Sequence, residues 1–242
     1  HGALSLLGSE EQKSRYRPLL PNTRFIRFNS EKDLNQITTK TAAVLLETIQ
    51  GGAGFILPKD DYLQKVKARC ESVGSLLILD EIQPGIGRTG KLFAFMDHDV
   101  APDILVIGKG LGGGLPVGAF IADQKHMVKL KEAPSLGHIT TFGGNPVIAA
   151  ACRATLETIL KSSLIENTIN KEKIFRKLLI HPKIKEIRGK GLMLALIMDD
   201  AKIAQLLVKS CMNEGVLLFF LLFEPAAVRI SPPLNISEKQ VK

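Results

Sequence analysis

The chain has 242 residues, 45% of them hydrophobic, a composition that suits a packed globular fold and excludes a disordered one. Its net charge is +8, yet Lys and Arg are scattered, aromatics make up only 5% and Trp is absent, which argues against a nucleic-acid surface. The densest basic stretch, Lys171 to Lys190, also holds Glu172 and Glu186 and reads as the wet faces of a helix and a strand. The longest apolar run, Val216 to Phe223, is far too short to span a bilayer and reads as a buried strand, so no membrane contact is expected. His1 to Ser5 lack the basic start and long apolar core of a signal peptide. Cys70, Cys152 and Cys211 are odd in number, far apart and fit no metal or disulfide spacing, so a reducing cytoplasm is the expected setting.

Short apolar runs alternate with amphipathic stretches, which predicts an α/β layer fold. Ala42 to Ile49 is a strand candidate, and Pro58 opens a helix over Lys59 to Val73 that Gly74 closes. Ser75 to Asp80 carries Leu-Leu-Ile-Leu, apolar on both faces, as a central parallel strand requires. Asp103 to Ile107 and Val117 to Ala122 read as further strands of the same kind. Asn145 and Pro146 start a helix to about Lys161. A basic helix (Ser163 to Leu179), strands at Ile184 to Arg188 and Leu192 to Met198, a helix from Asp200 to Asn213 and a strand at Ala227 to Ile230 complete the order. The texture shift near Ser162 predicts two units. Residues 1–162 form a doubly wound domain and residues 163–242 a smaller α+β domain. The ends read as cut: Ser237 to Lys242 start a helix that stops before it buries a face, and no initiator Met is present.

Asp80 ends its strand after four apolar residues, where a carboxylate is costly unless a cation or several donors meet it. The carboxyl ends of parallel strands are also where open α/β sheets take ligands. The alternative is a carboxylate that only caps the loop Gln83 to Gly87. Lys109 stands at the same kind of place, after Asp103 to Ile107 and between Gly108 and Gly110. Glycines let a flat ligand approach the backbone, and a lysine desolvated there becomes a nucleophilic amine. A solvated lysine on a loop is the plain alternative. Taken together, the acid and the amine suit a cofactor with a carbonyl on one side and a ring nitrogen on the other. Pyridoxal phosphate is such a cofactor.

Two lookalikes fall away. Gly85 to Lys91 resembles a phosphate-binding loop, but Leu92 stands where a magnesium-binding hydroxyl is needed. Gly108, Gly110 and Gly113 spell a dinucleotide motif, but Leu115-Pro116-Val117 leads into a strand instead of a helix.

Three segments carry a resemblance to a known family: Leu79 to Gln83 with Gly87 to Gly90, Asp103-Ile104 with Gly108 to Gly114, and Thr140 to Pro146. In order and spacing the chain resembles the class III aminotransferases of fold type I, from His1 to about Ile236. That resemblance implies a large domain with a mostly parallel sheet, a smaller C-terminal α+β domain and pyridoxal 5'-phosphate as cofactor. By the same resemblance Lys109 is the Schiff-base lysine and proton shuttle. Asp80 pairs with the pyridine nitrogen, Gln83 lies near the phenolic oxygen and Ile82 packs on the ring. Thr141, and beside it Thr140, would reach the phosphate of a second subunit in a homodimer with shared active sites; their plain reading is a turn before the Asn145 helix. Arg229, in Val228 to Pro233, would grip a substrate carboxylate, a task that suits a guanidinium fork; its plain reading is a surface charge on an edge strand. Glu47 joins the substrate side of the site.

Departures are visible. Thr48 stands where the family has a proline, and Gly52 where it has a second glutamate that tethers the arginine. Without that acid Arg229 is expected to be free. Pro84 is also unusual after Gln83. The phosphate-cradling turn, the ring-stacking aromatic and a second arginine are expected upstream of His1, so the chain alone is expected to hold cofactor poorly and the longer protein to hold it. The expected reaction is transfer of a terminal amine from an ornithine-like or acetylornithine-like donor to 2-oxoglutarate. A 4-aminobutyrate aminotransferase, a racemase or aminomutase of the same fold, and a basic binding module are the rivals.

Overall fold

The computed structural model describes residues 1–132 and 134–241. Its first sheet has the order β1 (Ala43–Glu47), β2 (Leu76–Asp80), β3 (Ile104–Gly108) and β4 (Gly118–Ala122). β1, β2 and β3 are parallel, and β4 runs antiparallel to β3. β4 was expected as one more central parallel strand. The connection from Lys109 to Val117 is too short for a crossover, so the chain turns back on itself. Phe120 and Ile121 are exposed on it.

β2 is the central strand that its apolar run predicts. Register pairs Val44 with Leu77 and Leu79 with Leu105, so Val44, Leu77, Leu79 and Leu105 share one face. Helix α1 (Tyr62–Val73) covers part of that face with Leu63, Val66 and Cys70. Helix α2 (Pro146–Leu160) lays Ile159 against Leu105 and Ile107. Leu76, Ile78 and Val106, on the opposite face, are only half-buried, so the doubly wound expectation is met on one side. α1 starts three residues later than expected because Asp60 is left-handed (φ 44°), which no helix tolerates. Gly74 ends it in the left-handed region (φ 74°).

A second sheet has the order β5 (Ile184–Lys190), β6 (Met193–Met198), β8 (Ala227–Ile230) and β7 (Phe219–Phe220), all antiparallel. Leu194, Leu196, Met198, Val228 and Ile230 pack one face against helices α3 (Leu164–Leu178) and α4 (Ala201–Asn213). The other face, through Met193, Ala195, Ile197, Leu221 and Ala227, packs on Ile49, Phe55 and Ala94. One apolar cluster therefore ties the second sheet to the segments that leave β1 and β2.

Two expectations for the second half are corrected. The run Val216 to Phe223 is not a buried strand: only Phe219–Phe220 pair, and of its eight residues only Leu221 is fully buried. Glu214 and Gly215 turn the chain there, and β7 is the edge of its sheet, paired with β8 alone among the described residues. The basic stretch is also not uniformly wet, because Lys171 is buried with its ammonium donating to the Leu234 carbonyl at 2.6 Å. No helix is long and apolar enough to cross a membrane among the described residues.

A buried acid locks the strand ends. Glu81, wholly inaccessible, accepts from the Thr48 hydroxyl at 2.6 Å and from the backbone N–H groups of Ala94 and Phe95, each at 2.9 Å. Burial pushes its carboxyl pKa up, and those three donors oppose the shift. Thr48→Val removes one donor. A buried charge that loses a partner costs ~1–3 kcal/mol. Because the lost donor favours the ionised acid, the substitution raises the folded-state pKa further. The loss should be full above that pKa and shrink as pH falls toward the unfolded value. Urea unfolding at pH 7.5 and pH 5 checks this, with the larger deficit expected at pH 7.5. Asp200 caps α4 by accepting from Lys202 and Ile203 N–H. Asp200→Ala should lower stability in the same measurement and Asp200→Asn much less.

Candidate active site

Register sets the site. Glu47 pairs with Asp80, and Asp80 with Val106, so the two acids sit side by side on the half-open face at the carboxyl ends of β1 and β2. Lys109 follows β3 directly. Asp80 is half-buried, and its Oδ1 accepts from Ile82 N–H at 2.9 Å. The loop-capping reading thus describes one oxygen of this carboxylate. Glu47 accepts from Gly51 N–H at 2.8 Å. Burial lifts the Glu47 pKa, Asp80 adds to the lift, and the Gly51 N–H and the Lys109 ammonium pull it down. Glu47, Asp80 and Lys109 therefore act on one another electrostatically.

Gln83 joins this group. A Cβ at Gly51 would strike Gln83 Oε1 and approach Glu47 Oε2, so the missing side chain at 51 makes room for the amide. Ile82 is half-buried and lies against Gly108, where a Cβ would meet its Cγ2 at 3.5 Å.

Lys109 differs from expectation in one respect. It is exposed and not desolvated, because Gly110, Gly113, Gly114 and Leu115 around it are exposed as well and form no wall. Its backbone is left-handed (φ 41°) at the start of the 3₁₀ turn Lys109–Gly112. Thr140 and Thr141 lie on the segment that leads into α2. Both are exposed, and Gly143 N–H donates to the Thr140 carbonyl in the turn before α2. Thr140 lines a cleft of about 340 Å³ with Val117, Phe142, Asn145, Ile148 and Cys152.

Arg229 lies on β8, between β6 and β7, so the edge-strand reading does not hold. It is half-buried, with its guanidinium over the Phe219 ring at 5.4 Å. It forms no ion pair among the described residues. Arg88 is close enough that burial, and then the Arg229 charge, hold its pKa below the usual guanidinium value. Arg88 donates to the carbonyls of Leu192 and Pro232. Sequence reasoning gave Arg88 no role; an arginine inside a glycine-rich stretch between apolar segments was the signal. Thr48 and Glu81 were likewise missed as partners, since only the fold joins them.

The lookalike motifs lead nowhere. Gly85 to Lys91 is a run of turns followed by the four-residue turn Ala94–Asp97, with no helix to bind phosphate. No group of three metal-ligating side chains occurs among the described residues. What remains is an amine and an acid at adjacent strand ends, with an amide and a branched aliphatic side chain beside them and glycines that clear space. That donor set fits pyridoxal phosphate: an amine for its aldehyde, a carboxylate for its ring nitrogen and open backbone for a flat ring.

Comparison with known proteins gives a consistent picture. The chain is similar to ornithine aminotransferase from Toxoplasma gondii, at 31% identity and a TM-score of 0.90, over 99% of this chain and 57% of that one. The account of that structure mentions pyridoxal phosphate at partial occupancy in its active site. Acetylornithine aminotransferase from Elizabethkingia anophelis matches at 34% identity and a TM-score of 0.81, over 89% of this chain and 56% of that one. Ornithine δ-aminotransferase from Plasmodium falciparum matches at 30% identity and 0.82, over 93% and 59%. The chain thus spans well under two thirds of the length of these relatives. The family model for class III aminotransferases matches residues 1–242. By fold, strand-end residues and family match, the chain belongs to the class III aminotransferases.

Proposed function

We propose that the protein of which this chain is part transfers an amino group from a donor amine to 2-oxoglutarate. The donor leaves as an aldehyde or ketone and the acceptor as glutamate, so nitrogen and electrons balance between the two half-reactions. The reading rests above all on Asp80 and Lys109 at the ends of adjacent parallel strands. Pyridoxal phosphate, when bound, supplies an electrophilic carbon and a ring that takes up electrons from the donor carbon.

The roles follow from chemistry. Lys109 would hold the cofactor by its amine, and that amine is also the group placed to take and return a proton at the donor carbon. Asp80 would hold the cofactor's ring nitrogen, its carboxylate favouring the protonated form. Gln83 and Ile82 would help hold the ring, the amide by hydrogen bonding and the aliphatic side chain by packing. Glu47, held by Gly51, borders the donor amine. Arg229 takes the donor carboxylate, which its lack of an internal acidic partner favours. Residues 1–162 carry the cofactor and residues 163–242 form the smaller unit that presents Arg229.

A second copy completes the site in this reading. Lys109 is exposed, and Leu136, Ile139, Phe142 and Val147 nearby in sequence to the Thr pair are exposed apolar side chains, a costly arrangement unless covered. Thr140 and Thr141 would then reach the partner's phosphate. An ornithine-like or acetylornithine-like donor is the substrate class that the relatives suggest.

Lys109→Ala in the full-length protein should abolish the visible absorbance of lysine-held cofactor and lower turnover at least ~1000-fold, since nucleophile and base are both lost. Asp80→Asn should keep that absorbance but lower turnover ~100-fold or more. Absorption spectra with a coupled glutamate assay check both. An unchanged spectrum in the Lys109 variant defeats the assignment.

A further inference from the structure

The face of the second sheet that looks toward the strand ends has an unusual charge pattern. Arg188 pairs with Ala195, Ala195 with Arg229, and Arg229 with Phe219, so the four residues form one row across β5, β6, β8 and β7. Ala195 belongs to the cluster that packs on Ile49 and Phe55, so the row faces the loop that follows Glu47. Arg188 is neutralised by Glu186 at 2.7 Å. Arg229 has no such partner among the described residues, and its charge lies close enough to Arg88 to act on it. Glu224, also near this loop, accepts from Ala226 N–H in its own turn.

The loop itself closes off the remaining space with apolar groups. A Cβ at Gly52 would meet Phe223 Cδ2 at 2.8 Å and Cε2 at 3.0 Å, so the aromatic ring fills the place any side chain at 52 would take. Phe223 N–H donates to the Gly52 carbonyl at 2.9 Å, which fixes that arrangement. Phe219 lies under the Arg229 guanidinium, and both rings remain partly exposed, Phe219 at 58% and Phe223 at 42%. A free guanidinium with aromatic surface on the same side suits a ligand with one carboxylate and an apolar body. A ligand carrying a second positive group there would face the charges of Arg229 and Arg88, while the nearby carboxylates of Glu47 and Glu224 already accept from the Gly51 and Ala226 N–H groups.

We infer that Phe219 and Phe223 are specificity-determining residues that select a monocarboxylate amine with an uncharged, apolar body over a dibasic donor. The inference rests on the reading of Arg229 as the carboxylate-binding residue. It narrows the donor class away from ornithine itself.

The test uses full-length holoenzyme, mixed with one donor and no acceptor. Loss of the visible absorbance of lysine-held cofactor gives kcat/KM for the first half-reaction. The donors are 3-amino-3-phenylpropanoate, 6-aminohexanoate and ornithine. The two apolar donors should exceed ornithine by at least ~10-fold, a ratio that hydrophobic contacts of this size can supply. Phe223→Ala should lower the value for the phenyl donor ~10-fold, chiefly through KM, and leave ornithine within ~2-fold. Phe223→Leu, which keeps an apolar filler beside Gly52, should recover most of the loss and shows that the fold is intact. Arg229→Gln should lower all three donors together. Ornithine reacting as well as the apolar donors, or Phe223→Ala affecting all donors alike, overturns the aromatic wall while Arg229→Gln still reports on the carboxylate reading. An Arg229→Gln enzyme that keeps full rates with every donor removes that reading as well.

Discussion

Parallel pairing of β2 with a strand on each side is the constraint from which the site follows. Parallel strands end at the same edge of a sheet, so three ionisable groups separated in sequence, two acids and an amine, arrive at one edge without any side chain having to reach. Glu47 and Asp80 lie in register, and Lys109 emerges from the next strand. Two acids placed side by side repel when both are charged; burial is what chiefly raises the Glu47 pKa, and the neighbouring Asp80 charge adds to it. An ammonium nearby offsets it. The edge is thus electrostatically incomplete by itself and prefers a cationic or proton-holding ligand between its acids and its amine.

A second constraint works beneath the first. Glu81 is adjacent to Asp80 but points into the protein, where Thr48 and two backbone N–H groups hold it. Alternation along a strand sends neighbouring acids to opposite faces, one toward ligand and one toward core. The inward acid ties the exit of β1 to the exit of β2 and to the Ala94 turn. Ala94 belongs to the cluster under the second sheet, so a chain of contacts runs from the strand ends to the strand that carries Arg229. The geometry around Arg229 and that around Lys109 are therefore fixed by shared parts.

Much of this was legible in the sequence. The apolar runs gave β1, β2 and β3 nearly residue by residue, because a strand covered by its neighbours needs little more than branched aliphatics. Asp80 and Lys109 could be singled out since polar groups directly after such runs are expensive. The family resemblance added the names of Gln83, Ile82, Thr141 and Arg229. Other features were hidden for physical reasons. The direction of β4 depends on loop length and not on its composition. The run Val216 to Phe223 is apolar but mostly exposed, because hydrophobic sequence does not specify what covers it. The Thr48 to Glu81 bond joins residues that only the fold brings together. Lys109 reads as desolvated from its glycine neighbours, yet those same glycines leave it open to solvent within this chain.

The backbone of Lys109 carries one more consequence. A side-chain-bearing residue at φ 41° gives up roughly 1–2 kcal/mol relative to a relaxed conformation, and glycine at that point would give up none. Mutational drift judged on folding alone would therefore favour the residue without a side chain, producing a sturdier molecule with no amine at the sheet edge. Thermostability screens of this protein that ignore turnover should accordingly enrich glycine at position 109, so sturdiness and competence pull against each other at this one residue.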